Sequence, residues 1–565
     1  NNLAIGIDLG TTTSCVAVYK NGHVTVIRDG SGSTLTPSYV HFDEDGSPIA
    51  GNEAKNQAAF FPESTIFDAK RLIGRQFDDP HVQNDMKTWP FNVEPDETGR
   101  PLIVVKDKRY TPEGISAKVL THMRKLAETH LNAAVTKAVI TVPANFTDRQ
   151  RDATRQAALI AGLEVLQMIN EPTAAAMAYA LNWKMEEKIV LVFDFGGGTF
   201  DVTILKTEVG STNVTNSTSS GELPSSSGMG VDVGEAQSKS RGPRLQVLQT
   251  GGDTHLGGED FDGAMVLHCV EQFRIQHGIG LLDTDGSTAG LRSDQQRNRR
   301  LRRLRNECEK AKANLTSAHT ATIEVDGIHS ELDLKVPITR SEFEKMNEKL
   351  FQKAIDIVRK ATKDANLQPG DITDVLMVGG SSRIPRVRKL LQDFLKLPIL
   401  NINQHVDIQE AVALGAAIQA CVLNGGATIN NLPLIRDIQP FSLGIRIVTG
   451  AMSVIIKQNT RIPCEASRIF KTTVDNQHTV LLDIFTGEEA LAEDNVFLGS
   501  FKLKGILPGR AGDRSVNVHM KIDESGILNV TASTPEGIRG NLEIVESRGR
   551  YSDEEMAEMR RHSGQ

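Results

Sequence analysis

The chain has 565 residues, a formal net charge of −8, and 39% hydrophobic and 24% charged residues. Such a length is divided among about two to four domains rather than one core. The acidic balance argues against a nucleic-acid partner, which selects a basic footprint, and no run of about 18 apolar residues is present to cross a membrane.

Cys15, Cys269, Cys308, Cys421 and Cys464 are scattered, odd in number and form no C-x-x-C pair. They fit a reducing, cytoplasmic setting and no cysteine metal site. No secretory leader opens the chain. It does not begin with Met, so a removed organellar address is compatible with this reading.

Ala4-Ile-Gly-Ile-Asp-Leu-Gly-Thr-Thr-Thr13 reads as a strand ending at Asp8, a tight turn at Gly10 carrying Thr11 and Thr12, and a return strand through Tyr19. Asp68-Ala-Lys-Arg-Leu-Ile-Gly74 follows. Lys70 there is a point charge for a phosphate oxygen or attacking water, or an exposed surface lysine, the commoner fate of a lone lysine. Lys137-Ala-Val-Ile-Thr-Val-Pro143 is a buried-type strand. Thr147-Asp-Arg-Gln150 is a capping box for a helix through Ala161, with Gly162 at C′. Val165–Ile169 is a further strand, and Asn170-Glu-Pro172 opens an Ala-rich helix. Glu171 is a ligand of metal or water, or a first-turn carboxylate favoured by the helix dipole. Strands alternating with helices predict parallel α/β sheets.

The stretch from Val190 to Leu205 repeats the opening device. Asp194 ends a strand, Gly196, Gly197 and Gly198 turn it, and Thr199 and Asp201 follow. Consecutive N–H groups in such a turn make an anion-binding concavity, and carboxylates beside phosphates predict Mg²⁺. Two such hairpins predict duplicated lobes that grip phosphates between them. Neither a Walker loop nor a dinucleotide fingerprint is present.

Residues 208–244, rich in Ser, Thr and Gly, predict a disordered insertion at a hairpin tip, in which Asn213 and Asn216 head sequons. Gly252–Asp262 is another Gly/acid loop. The six arginines from Arg297 to Arg305 read as the wet face of an amphipathic helix whose apolar side is Leu301, Leu304, Cys308, Ala311 and Leu315. Asp374–Pro385 is a third strand-to-glycine junction, and Glu410–Gln419 a small-residue helix fit for close packing. Leu432–Asp437 is a short linker. Beyond it Val516, Val518, Met520 and Ile522 alternate with polar residues, Asp523–Gly526 turns the chain, and the strand spacing predicts a sandwich. Ser552–Glu555 is a second capping box with little room before Gln565.

These residues resemble the seventy-kilodalton heat-shock protein family of ATP-driven chaperones. Ile7-Asp-Leu-Gly-Thr-Thr12, Asp194-Phe-Gly-Gly-Gly-Thr-Phe-Asp201, Asp253-Thr-His-Leu-Gly-Gly-Glu-Asp-Phe-Asp262 and Val378-Gly-Gly-Ser-Ser-Arg-Ile-Pro385 are similar to its signatures, in order. The resemblance implies an α/β, actin-like, two-lobed nucleotide-binding domain at 1–428 and a linker at 429–437. An all-β sandwich peptide-binding domain at 438–547 and the start of a truncated helical lid at 548–565 would follow. It implies ATP/ADP and Mg²⁺ as cofactors. Gly10, Thr11, Thr12 and Gly196, Gly197, Gly198 with Thr199 would hold phosphates, and Asp8 and Asp194 the hydrated metal. Lys70, Glu171, Thr199 and Asp201 would support hydrolysis. Glu309, Lys312 and Thr316, with Gly379, Gly380, Ser381 and Arg383, would line the nucleoside. Ile445, Phe470, Val480, Leu482 and Val516 would form the peptide pocket under an arch of Val448 and Thr473. Pro143, Arg151 and Asp437 would couple the domains. Unfolded or nascent polypeptides are the implied clients, and a J-domain co-chaperone and a nucleotide-exchange factor the implied partners.

The sequence departs from the family at four places. Ala313 replaces an arginine that stacks on adenine, and Gln409 replaces an aspartate. The lid after Ser552 is almost absent. Pro433 removes an N–H donor from the apolar linker and Arg436 replaces an apolar residue, so Arg436 must reach solvent or find an acidic partner, and either way the docked linker is expected to be less populated. Two other readings share the nucleotide fold: a sugar-kinase-like phosphotransferase, and a lidless regulatory relative that binds ATP as a scaffold.

Overall fold

The computed structural model describes residues 3–180, 187–208, 244–281, 291–329, 331–397, 406–425 and 434–543. The insertion with Asn213 and Asn216, Pro433, and the capping box at Ser552 lie outside them.

Two sheets share one plan. In the first, Ala4–Asp8, Thr13–Lys20 and His23–Val26 form an antiparallel meander, and Lys137–Val142 lies parallel against Ala4–Asp8. In the second, Ile189–Phe195, Phe200–Glu208 and Arg244–Asp253 form the same meander, with Asp374–Val378 parallel against Ile189–Phe195. The expected duplication is thus visible in strand order. Each sheet places the end of its first strand, Asp8 or Asp194, beside a glycine turn.

Local signals produce these elements as expected. Thr147 and Gln150 cap the helix Asp148–Ile160 reciprocally, and Gly162 leaves it at φ 76°. The helix Ala411–Leu423 is wedged between the first sheet and the helix Glu171–Ala180. A Cβ on Gly6 would lie 2.1 Å from the Ala417 nitrogen, and one on Gly415 would lie 1.7 Å from the Ala174 oxygen. Only glycine admits this approach, which is why the segment is built of small residues.

Farther along, two four-stranded antiparallel sheets pack over one core. One runs Met452–Ile456, Leu443–Arg446, Thr479–Thr486, Val496–Lys504; the other runs Cys464–Lys471, Ser515–Ile522, Leu528–Ser533, Arg539–Glu543. Val516, Val518, Met520 and Ile522 face Leu443, Ile445, Leu482 and Ile484 across it, as their alternation requires.

The linker departs from expectation. Leu434–Arg436 is a strand, parallel to Arg244–Gln246, at the edge of the second sheet. Ile435 packs into the core under that sheet, whereas Arg436 is exposed. Successive side chains of a strand point to opposite faces, so the guanidinium stays at the surface while the backbone docks. The guanidinium is thus spared the desolvation cost, one of the outcomes expected for it.

Candidate functional site

The two glycine hairpins meet face to face. A Cβ on Gly197 would lie 1.9 Å from Thr12 Oγ1, and one on Gly198 2.6 Å from Thr11 Cγ2. The two turns therefore touch. A third element closes on them: Gly258 and Glu259 donate backbone N–H groups to the Gly196 and Gly197 carbonyls at 3.1 and 2.8 Å. Thr12 Oγ1 donates to Glu259 Oε1 at 2.9 Å. Burial alone would raise Glu259, but Arg71 and Arg305 outweigh it and hold its carboxyl down to about 2. Ser381 donates to the Gly196 carbonyl at 2.8 Å, and Ser38 to the Gly10 carbonyl at 2.8 Å.

Beneath the turns lie Asp8, Glu171, Asp194 and Asp201, all buried or nearly so. Lys70 is among them, only 8% exposed rather than on the surface. Its Nζ donates to the Leu9 carbonyl and to Glu171 Oε1, both at 2.6 Å. Thr141 donates to Asp8 Oδ1 and Asn145 to Asp201 Oδ1, each at 3.0 Å. Burial and then the Glu171 charge push Asp8 and Asp201 up to about 7, and hold Asp194 well above the usual carboxylate range. Such an all-oxygen set of mutually repelling carboxylates suits a hard divalent cation. Among the described residues no three His, Cys, Asp or Glu side chains converge to hold a metal alone. A cation here would share its shell with phosphate oxygens and water, as Mg²⁺ does.

The raised values set a pH dependence. Below pH 7 the free site holds protons that the cation must displace; above it Asp8 and Asp201 are ionised. Mg-nucleotide binding at pH 7 is therefore expected to release about one to two protons, and affinity should fall roughly tenfold per unit of acidification for each proton displaced. Calorimetry in buffers of different ionisation enthalpy measures this, and a buffer-independent binding heat at pH 7 would refute it.

Of the nucleoside candidates, Lys312 and Ser381 meet at Gly258, where a Cβ would lie 3.1 Å from Lys312 Nζ and 2.7 Å from Ser381 Oγ. Lys312 donates to the Gly258 carbonyl and Asp262 at 2.8 and 2.6 Å, and Glu309 pairs with Lys55 at 3.2 Å. Thr316 turns back to the Ala313 carbonyl, and Ala313 is exposed. Gly379, at φ 79°, brings the backbone against the Phe195 carbonyl, and Gly380 begins the turn that holds Ser381. Arg383 is drawn toward Asp407 and Gln409 at 3.3 and 3.4 Å.

The arginines of the helix Leu291–Asn314 are not simply its wet face. Arg302 is buried, donates to the Tyr39 hydroxyl at 2.6 Å and stacks over Tyr39 and Phe67. Arg305 pairs with Glu259, and Arg303 reaches the Asp326 carbonyl. Arg71 likewise pairs with Asp260 at 3.0 Å. Each partner lies far away in sequence, so helical periodicity alone could not find it.

A second set of buried polar groups joins the two halves of the chain. Arg151 donates to Asn170 Oδ1 at 2.7 Å and reaches the Ser525 carbonyl at 3.5 Å. Asp437 accepts from Asn170 at 2.8 Å and from Thr173 at 2.9 Å. Leu528 N–H donates to Asp148, and Met168 N–H to Ser525 Oγ, each at 3.1 Å. Pro143 ends its strand and its carbonyl accepts from Phe146 N–H. Of the peptide-pocket candidates, Ile445, Leu482 and Val516 are buried in the core, with Phe470 and Val480 half-buried against them. Val448 is 79% exposed and Thr473 is exposed.

Sequence reasoning missed Thr141, Asn145, Glu259 and Asn170. Thr141 and Asn170 lie at the C-terminal ends of parallel strands, and Asn145 just beyond one, where α/β sites gather; that position was the available signal.

A family model described as Hsp70 protein matches residues 4–224 and 238–565. The heat shock 70 kDa protein 2 of Paracoccidioides lutzii is 43% identical over 98% of this chain and 79% of its own length. Heat shock 70 kDa proteins of Emericella nidulans and Neurospora crassa are each 42% identical over 98% of this chain and 80% of theirs. A match spanning both halves sets aside the sugar-kinase reading. The chain belongs to the seventy-kilodalton heat-shock protein family, and is an ATP-hydrolysing molecular chaperone.

Proposed function

We propose that residues 1–428 form an actin-like domain that binds Mg-ATP between its two hairpins, and that residues 438–547 form a sandwich that binds extended apolar segments of unfolded or nascent polypeptides. The observation that carries this is the contact of Gly197 and Gly198 with Thr12 and Thr11 directly above buried carboxylates. Gly10, Thr11, Thr12 and Gly196 to Thr199 hold phosphates. Asp8 and Asp194 hold Mg²⁺, which neutralises phosphate charge when bound. Lys70 and Glu171, with Thr199 and Asp201, position and polarise the attacking water, since phosphoryl transfer asks for positioning and charge more than covalent chemistry. A J-domain protein and a nucleotide-exchange factor act with it, in the cytoplasm. No helix among the described residues is long and apolar enough to cross a membrane.

Single-turnover ATP hydrolysis with and without an apolar peptide tests this reading. The peptide should accelerate hydrolysis. Extended peptides are gripped through their backbones, with pockets selecting side chains, so Val480→Phe should remove both the acceleration and peptide binding by fluorescence anisotropy. Unchanged binding would place the pocket elsewhere.

Ala313 leaves one face of the base without the cation that covers it in relatives. A desolvated cation–π contact contributes about 1–2 kcal/mol, so Ala313→Arg should tighten ADP binding roughly tenfold by calorimetry. An unmoved affinity would mean that another residue already covers the ring.

A further inference from the structure

The hydrogen bond from Asn145 to Asp201 crosses between the two sheets. Asp201 belongs to the strand Phe200–Glu208 of the second sheet, and Asn145 to the loop that leaves the strand Lys137–Val142 of the first. The contact, Nδ2 to Oδ1 at 3.0 Å, joins two buried side chains. An ionised carboxyl only accepts hydrogen bonds, so the amide turns its nitrogen to it. The Asn145 backbone N–H donates to the same carboxyl. Asp8 is held differently: its partner Thr141 lies on the neighbouring strand of its own sheet.

The amide has little freedom to move. Arg151, itself buried, donates to the carbonyls on either side of it, Ala144 at 3.1 Å and Phe146 at 3.3 Å. Thr147 caps the helix Asp148–Ile160 that carries Arg151, which pins the far end of the loop. Gly252, opposite Asp201 in the neighbouring strand, makes the room: a Cβ there would lie 2.3 Å from Asn145 Nδ2 and 2.7 Å from Asp201 Oδ1. A side chain locked in this way fixes the orientation of the group it bonds.

We infer that Asn145 is a positioning residue for hydrolysis, which orients Asp201 from the opposite sheet. The inference rests on the reading of Asp201 as one of the groups that position the attacking water. The carboxyl is then correctly aimed only while the two sheets stay closed on each other. Phosphate binding uses the glycine hairpins and does not call on the amide, so loss of Asn145 separates binding from turnover. The contribution is geometric: a small displacement of a group that aligns a reactant is enough to slow the reaction greatly.

Single-turnover ATP hydrolysis and ADP affinity, measured on the full chain, test this. Asn145→Ala and Asn145→Leu should each slow hydrolysis at least about tenfold, with ADP affinity within about twofold of the parent. Leucine fills the volume of the amide without its donor, so equal losses assign the effect to the hydrogen bond rather than to a cavity. Asp201→Asn should also be slow. Placing Asn145→Ala on Asp201→Asn should then cost less than about twofold more, because groups that act as a unit are not additive. Parental hydrolysis in Asp201→Asn would overturn the reading of Asp201, and the inference with it. A slow Asp201→Asn together with a parental rate in Asn145→Ala or Asn145→Leu would overturn the role of Asn145 alone. So would losses that multiply in the double variant, or an ADP affinity that falls along with the rate, since either marks a general loosening of the cleft.

Discussion

Replacing Lys70 by alanine is expected to slow single-turnover ATP hydrolysis by at least about a hundredfold, with nucleotide affinity changed only a few fold. The amine is held between the Leu9 carbonyl and Glu171, next to Asp8, Asp194 and Asp201. In that dry, acidic pocket a fixed positive charge acts far more strongly than in water. Its removal also leaves Glu171 buried without its partner. Breaking a buried pair costs about 3–5 kcal/mol, so the nucleotide-free variant should melt earlier, and Mg-ADP should recover most of the loss. Lys70→Arg should not restore the rate, because a planar guanidinium does not fit a slot made for a point charge. A hydrolysis rate within twofold of the parent in Lys70→Ala would sink the assignment.

Arg151→Ala is expected to erase the stimulation of hydrolysis by peptide, leaving basal hydrolysis near normal. Arg151 and Asp437 share Asn170, and Arg151 also touches Ser525 in the far half of the chain. One buried side chain thus senses both the linker and the sandwich. Allosteric coupling is typically about 1–3 kcal/mol, so losing this node should cost roughly tenfold in peptide stimulation and in ATP-driven peptide release. Removing Arg436, by contrast, should do little. With its guanidinium already exposed, Pro433→Leu combined with Arg436→Leu should change stimulation by less than about twofold. A large gain in that double variant would mean that the docked linker is strained after all. Peptide-stimulated turnover and release followed by anisotropy decide both cases.

The sequence displayed what is local and hid what is distant. The glycine hairpins, the Thr147–Gln150 cap, the small-residue helix and the Val516–Ile522 alternation are each written within a few neighbouring residues, and all were legible. Lys70 looked like a surface lysine because the groups that bury it, Leu9 and Glu171, come from two other elements. Arg302 looked solvated because Tyr39 and Phe67 lie far upstream. Arg436 looked like an obstacle because the sequence does not say which face of a strand will be wet. Family resemblance supplied Lys70 where periodicity could not, but it offered no help with Arg436, where this chain departs from the family.

The place of the linker at the sheet edge has a further consequence. When Leu434–Arg436 leaves, Arg244–Gln246 becomes an open edge whose backbone amides can recruit any passing extended chain. A chaperone surrounded by unfolded polypeptide is badly placed to expose such an edge. Here the uncovered stretch is only three residues long and carries Arg244, and the departing strand carries Arg436. Short length and positive charge are the devices by which natural sheets discourage illicit pairing. Arg436, a blemish when judged as a docking residue, then guards the chain against joining the tangles it exists to prevent.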